Sequence, residues 1–202
     1  MRLIINSMIS EDLLLKYGAS LDFFSGGELI FQEKTRADFY FQIKKGEIKM
    51  FNLNQNGREF IQGFFYSGDS FGEPPLFSDM SYPASAATIK DSEIYTLSKK
   101  RLFKLLEDYP KINLKFTQEM AKRLFYKAII LKEISGHPPE HRILTLIDYL
   151  KKEEGITGLY QVDLTRQQIA DLTGLRVETV IRSVKQLEQD GELEIIRRKI
   201  HR

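Results

Sequence analysis

The spacing of apolar residues changes twice along this chain of 202 residues. From about Phe23 to Leu97 the apolar residues fall into short runs. Phe39 to Ile43 is aromatic and β-branched, Ile48 to Leu53 alternates in part, and Asn56-Gly57 marks a hairpin before Glu59 to Phe65. Gly26-Gly27, Gly46, Gly57, Gly63, Gly68 and Gly72 recur at short intervals, and short strands separated by glycine turns predict an antiparallel β-roll. Ser98 can then cap a short helix, Lys99 to Asp108, that ends before Pro110.

The period next lengthens. Ile112 to Ile134 reads as one long helix whose apolar positions cover more than a single stripe, so it needs cover from two sides. Met120, Leu124, Leu131 and Ile134 follow a coiled-coil-like spacing interrupted by Lys127, which predicts one face on the β-roll and the other against the same helix of a second subunit. Ser135-Gly136-His137-Pro138-Pro139 is a hinge in which proline can occupy the first turn of the following helix. His137 and His141 stand four apart with no third ligand nearby, so no metal site is expected. Arg142 to Lys151 is the next helix, burying Ile143, Leu144, Leu146, Ile147 and Leu150, and Tyr160-Gln161-Val162 is a short strand.

Leu164 to Leu187 carries the most specific signal. Thr165 followed three residues later by Gln168 is a capping box, so a helix starts at Thr165. Gly174 supplies positive φ and stops it after about two turns. A second apolar-periodic run follows through Val177, Val180, Val184 and Leu187, with the small Ala170 where the helices cross and Ile169, Leu172, Leu175 and Val180 between them. Two short helices at a tight turn are a helix-turn-helix, whose second helix lies in the DNA major groove. Its outward face carries Arg176, Glu178, Thr179, Arg182 and Lys185. Arginine can bond guanine O6 and N7 together, and a carboxylate can accept from cytosine N4, so Glu178 and Arg182 can read neighbouring base pairs. A surface ion pair between them is the competing explanation. After Asp190-Gly191, Leu193, Ile195 and Ile200 suggest a wing hairpin with Arg197-Arg198-Lys199 at its tip, placed to touch phosphates.

Thr165-Arg166-Gln167, Gly174, Glu178-Thr179-Val180 and Arg182 together resemble the DNA-binding motif of the CRP/FNR superfamily of bacterial transcription regulators. Val177 before Glu178-Thr179 is similar to the FNR-type signature, which implies a TTGA-like half-site. Arg176 stands where family members usually carry Ser or Thr, so the expected side-chain cap is missing. The earlier part resembles the family's cyclic-nucleotide-binding domain through Gly27-Glu28, Gly46-Glu47-Ile48-Lys49, Gly57 and Gly68-Asp69-Ser70-Phe71-Gly72-Glu73 followed by Leu76-Phe77. In nucleotide-binding members the matching glutamate holds the ribose and an arginine about ten residues later neutralises the cyclic phosphate. Glu73 is present, but Tyr82-Pro83-Ala84-Ser85 occupies the arginine's place and no Lys or Arg occurs from Glu73 through Ile89. A buried phosphate without donors or positive charge is costly, and Pro74 and Pro75 remove two backbone donors. The Thr-Ser pair that contacts adenine in CRP-like members is matched by Lys127 and Ala128. The effector pocket implied by the resemblance is therefore Gly72, Glu73, Pro83, Ala84, Lys127 and Ala128, and cAMP is not expected in it. Against the family pattern the chain stops early, which predicts an abbreviated wing.

Composition narrows the reading without supplying it. The net charge of +2 does not advertise nucleic acid, so the basic residues must act locally. There is no cysteine, which excludes disulfides and cysteine-held iron-sulfur clusters, and with them FNR-type oxygen sensing. Leu3-Ile4-Ile5 is too short for a signal-peptide core and no apolar run approaches membrane-spanning length, so a cytoplasmic protein with no membrane partner is expected. No P-loop, Gly-x-Ser-x-Gly or His-Glu-x-x-His occurs, and no catalysis is expected. The expected fold is α+β: a cyclic-nucleotide-binding-like antiparallel β-roll over 1–110, a dimerisation helix and hinge over 111–137, and a winged helix-turn-helix over 138–202. The expected interface between subunits is Met120, Leu124, Lys127, Leu131 and Ile134. The expected function is a homodimeric regulator that binds double-stranded DNA at an inverted repeat through Thr165, Arg166, Gln167, Arg176, Val177, Glu178, Thr179, Arg182, Lys185, Arg197 and Arg198. The resemblance adds RNA polymerase as a protein partner, and a sensor whose β-roll effector switches DNA binding is the alternative.

Overall fold

A computed structural model describes residues 7–55, 57 and 59–202, with the side chains of residues 130 and 133–135 outside the description. The chain divides into two compact units, one up to Lys122 and one from Arg123.

The first unit opens with a short helix, α1 (Glu11–Lys16), preceded by Ser10 as N-cap and carrying Glu11 and Asp12 in its first turn. The strands follow: β1 (Ser20–Phe24), β2 (Leu29–Phe31), β3 (Phe39–Leu53), β4 (Glu59–Tyr66) and β5 (Ser70–Phe71), then a five-residue helix α2 (Pro74–Ser78), β6 (Ser85–Ser98) and α3 (Lys99–Asp108). All pair antiparallel in one six-stranded sheet of order β1-β6-β3-β4, with β2 on β6 and β5 on β3. The β-roll is present. Its strands differ from the sequence expectation in one respect: Phe39–Ile43 and Ile48–Leu53 are a single strand that runs through Gly46. The register against β6 shifts on either side of this glycine, as a bulge requires. Gly46 has φ +130, and a Cβ there would stand 2.1 Å from Ser92 Oγ and 2.9 Å from Ser92 Cα. Gly46→Ala is expected to cost about 3 kcal/mol or more, by backbone strain and collision together, read as a fall in the denaturation midpoint. An unchanged midpoint would mean that the bulge relaxes freely.

Gln42 is the buried polar residue that organises the sheet's inner face. Its Oε1 accepts from the Ile9 amide at 2.9 Å and from the Tyr40 hydroxyl at 2.8 Å, and its Nε2 donates to the Ile9 carbonyl at 2.8 Å. The side chain thus pairs with Ile9 as a neighbouring strand would, so both ends of its buried amide have partners. Lys115 Nζ, on the long helix, donates to the Ser7 carbonyl at 2.7 Å, so the segment Ser7–Ile9 is held from both sides. Ser98 is the N-cap of α3 as expected, but its side chain makes no capping bond.

Helix α4 (Pro110–Gly136) is the predicted long helix, 27 residues in one piece. Phe116 is buried and packs on Tyr40, and Ile112 and Met120 pack against the same β-roll core. Met120, expected between subunits, is half-buried against the core of its own chain.

The second unit continues with α5 (Pro139–Glu153), β7 (Gln161–Val162), α6 (Arg166–Thr173), α7 (Val177–Gln189), β8 (Glu194–Ile196) and β9 (Lys199–His201). Pro138 is the N-cap of α5 and Pro139 its first residue, so the missing proline amide falls where no helical acceptor exists. Ile143, Leu146 and Ile147 are buried, whereas Leu144 and Leu150 are half-buried. The three strands form a small antiparallel sheet of order β7-β9-β8. The wing is therefore not abbreviated: β9 is its second strand. Tyr160 and Arg202 exchange backbone hydrogen bonds beyond β7, and the Arg202 guanidinium bonds Asp148 on α5 and the Glu192 carboxylate, at 2.8 and 2.6 Å.

Candidate nucleic-acid interface

The turn between α6 and α7 is built as the sequence predicts. Thr165 Oγ1 accepts from the Gln168 amide at 3.1 Å while Gln168 Oε1 accepts from the Thr165 amide at 2.8 Å, closing the capping box. Gly174 takes φ 68 at the C-cap, and its amide donates to the Ala170 carbonyl. The Leu175 amide shares that acceptor at 3.0 Å. Ala170 is fully buried beneath the turn with Ile169 and Val180. The arrangement is a helix-turn-helix.

α7 separates its residues sharply. Val180, Ser183, Val184 and Leu187 are buried; Glu178, Arg182 and Lys185 are exposed, and Val177 and Thr179 are half-buried. Among the described residues no ion pair joins Glu178 to Arg182, so the competing explanation of that pair finds no support in the geometry. Arg176 is the N-cap, with extended backbone and no side-chain cap bond, and it is exposed. Of the residues at the start of α6, Gln167 is exposed and bonds Asp171 at 2.8 Å. Arg166 is half-buried, and desolvation draws its pKa below the usual arginine value.

A contact that sequence reasoning missed fixes the orientation of α7. Ser183 Oγ, on the buried face, donates to Glu140 Oε1 in the first turn of α5 at 2.5 Å. A serine in an otherwise apolar stripe, with a glutamate 43 residues earlier in a proline-led first turn, was the available signal.

The wing tip is exposed and basic, with Arg197 at φ 48 and Arg198 at φ 67. Two successive positive-φ residues between paired strands are the backbone of a type I′ hairpin turn, a place that favours Asn and Gly. Each arginine there costs roughly 1–2 kcal/mol.

The residues grouped as an effector pocket differ in burial. Glu73 is 2% exposed at the start of α2, and Ala84 is buried, whereas Pro83 is exposed. Lys127 and Ala128 are exposed residues of α4 and belong to the second unit. Next to Gly72 the space is taken by aromatic rings: Phe31 and Tyr82 stack at 3.8 Å, and a Cβ on Gly72 would meet them at 3.1 and 3.3 Å. The Tyr82 hydroxyl donates to the Phe39 carbonyl at 3.2 Å. Asn52 Nδ2 bonds both the Pro83 carbonyl and Glu33 Oε2, at 2.7 and 3.0 Å. Residue 83 is thus neighboured by acceptors and a carboxylate.

Exposed apolar side chains mark a second surface. Leu114, Leu124, Phe125 and Leu131 stand out from α4, with Leu124 and Leu131 exposed by 70% and 69%. Ile134, expected on the same face, lies outside the described side chains. No helix of the described residues is long and apolar enough to cross a membrane. Near the hinge the His137 and His141 rings contact each other at 4.4 Å, and among the described residues no group of three or more potential metal ligands occurs.

Comparison with known proteins gives two family matches, the cyclic nucleotide-binding domain over residues 21–109 and the Crp-like helix-turn-helix domain over residues 141–201. The transcriptional activator protein anr of Pseudomonas aeruginosa is 24% identical over 203 aligned residues, covering 98% of this chain and 82% of that one. The cAMP-activated global transcriptional regulator CRP of Salmonella typhimurium is 27% identical over 167, covering 80% and 79%. Among solved structures, the c-di-GMP-responsive global regulator CLP of Xanthomonas campestris shares the fold with a TM-score of 0.74 at 22% identity, covering 94% of this chain and 95% of that one. FixK2 of Bradyrhizobium japonicum does so at 0.72 and 24%, covering 90% and 91%.

Proposed function

The chain belongs to the CRP/FNR superfamily of DNA-binding transcription regulators, and from that premise we propose that it acts as a homodimer on an inverted repeat of TTGA-like half-sites, without cAMP. The observation that carries this is the outward face of α7, where Glu178, Arg182 and Lys185 are exposed on a helix whose other face is locked into a core. Glu178 and Arg182 read base edges; Arg166, Arg176, Lys185, Arg197 and Arg198 hold phosphates, with Thr165 and Gln167 at the start of α6. A two-fold dimer sets two such helices one DNA turn apart, hence the inverted repeat. Gel shifts on a TTGA-type palindrome and on its scrambled version test the proposal. Equal affinity for the two duplexes removes it. RNA polymerase is the further partner, in keeping with the activators among its relatives.

Independence from cAMP is supported by the stacked Phe31 and Tyr82 rings and by Glu33 near residue 83. An anionic phosphate entering there would meet a carboxylate and no cation from residue 73 through 89. The match to a cyclic-nucleotide-binding domain favours the alternative, a β-roll whose ligand prefers one arrangement of the DNA-binding units. Titration calorimetry with cyclic nucleotides separates the two: silence is expected, and heat would make the protein a sensor.

The wing supplies a further expectation. The double variant Arg197→Asn/Arg198→Gly relieves the left-handed strain and is expected to raise unfolding stability by about 1–3 kcal/mol. It should also weaken DNA binding across all sequences and flatten the salt dependence, by roughly one unit of log–log slope for each phosphate no longer neutralised. Unaltered salt dependence would take the wing off the DNA.

A further inference from the structure

Ile181 is not explained by hydrogen bonding or by the core. It is 53% exposed on α7. At 3.6 residues per turn it stands about 60° around the helix from Glu178. Val177, one turn earlier on the same flank, is half-buried, so the two make an apolar shoulder beside the charged strip, while Thr179 lies on the opposite shoulder. Val180, Val184 and Leu187 close the core without Ile181. A single surface isoleucine is ordinary elsewhere. Here it lies beside the exposed strip of Glu178, Arg182 and Lys185, and a β-branched side chain is a weaker helix former than the Ala, Lys or Glu that could replace it.

The major-groove edges of the four bases carry hydrogen-bonding groups and one apolar group, the C5-methyl of thymine. We infer that Ile181 packs on that methyl and selects thymine at one position of each half-site, beside the base pairs read by Glu178 and Arg182. The assignment rests on the reading of α7 as the recognition helix. Isoleucine neither donates nor accepts, so its preference has two sources. Contact with the methyl removes apolar surface of both partners from water. Cytosine in the same place would lose hydration of its N4 amino group against a side chain that cannot accept. The β-branch restricts χ1, so the methyl meets a side chain with little rotamer freedom to lose. Cytosine methylated at C5 presents the same apolar group and should recover part of the lost binding.

The test begins with selection of duplexes from a pool carrying a randomised palindrome, so it does not depend on the half-site sequence proposed above. Each thymine of the selected half-site is then replaced, one at a time, by deoxyuridine, which removes only the methyl. With the unaltered protein one thymine should show about fourfold weaker binding per half-site, the effect of one methyl group taken from water. With Ile181→Ala, which keeps the helix because alanine is the better helix former, the same replacement should make no difference. Ile181→Ser should also be indifferent to the methyl and should tolerate cytosine there. A converged site in which no thymine is methyl-sensitive, or in which Ile181→Ala keeps the full sensitivity, overturns the assignment and leaves the regulator reading intact. A pool that never converges overturns the reading of α7 as a base reader, and this assignment falls with it.

Discussion

Arg182→Ala is expected to weaken binding to the selected palindrome by roughly thirty-fold or more while leaving the fold untouched. A bidentate arginine–guanine contact discriminates by about 1–3 kcal/mol, and a dimer loses two of them. The side chain is exposed, and among the described residues no hydrogen bond or ion pair holds it, so unfolding stability should move by no more than about 0.5 kcal/mol. The pattern matters more than the size. Preference at one base pair should vanish while affinity for scrambled duplex falls only slightly, by the loss of one positive charge, and Arg182→Lys should rescue it only in part, because an ammonium reaches O6 and N7 without the planar fork that fits both. Glu178→Ala should have the opposite sign on non-specific DNA: removal of a negative charge raises affinity for scrambled sequence while discrimination falls. Anisotropy titrations on matched and scrambled duplexes read both. Uniform weakening by Arg182→Ala would make it a phosphate contact.

The other large effect is expected at α4. Leu124→Glu should turn a dimer into monomers in sedimentation, and DNA binding should fall by roughly 10³-fold, toward the non-specific level. Leu124 is 70% exposed in the single chain, so the substitution removes little of that chain's own packing and its unfolding transition should persist. Exposed apolar residues clustered along one helix, as Leu114, Leu124, Phe125 and Leu131 are, mark a surface made to be covered. Two glutamates meeting across a two-fold axis repel and lose hydration; mixing Leu124→Glu with Leu124→Lys should restore the dimer and its binding. An unaltered protein that sediments as a monomer would remove the dimer from the proposal.

Much of this was legible because local chemistry decided it. The Thr165–Gln168 capping box, Gly174 in the left-handed region and the period of α7 needed no knowledge of distant residues. Where longer range decided, the sequence was silent or misleading. Gln42 serves as a strand partner to Ile9, 33 residues away, and neither residue type announces that. Gly46 looks like a break but is a bulge in a strand already paired on both sides. Periodicity placed Met120 with Leu124 and Leu131, yet a helix period does not say which neighbour covers which face; Met120 also packs on the core of its own chain. The effector residues were grouped by their match to a family pattern, which gave no sign that the Phe31 and Tyr82 rings would stack beside Gly72. The hairpin tip at Arg197-Arg198-Lys199 was legible, but the wing was expected to be abbreviated because the chain stops early against the family pattern; three residues, Lys199–His201, suffice for the second strand.

That turn has an evolutionary side. Arginine and glycine are one nucleotide apart in many codons, and a change to glycine at either φ-positive position would make the domain more stable at once. A lineage released from operator binding should therefore drift toward glycine or asparagine at the hairpin while its core stays put. If the wing grips DNA as proposed, the pair of left-handed arginines works as a clock of use, persisting only while grip on a polyanion outweighs an easier fold.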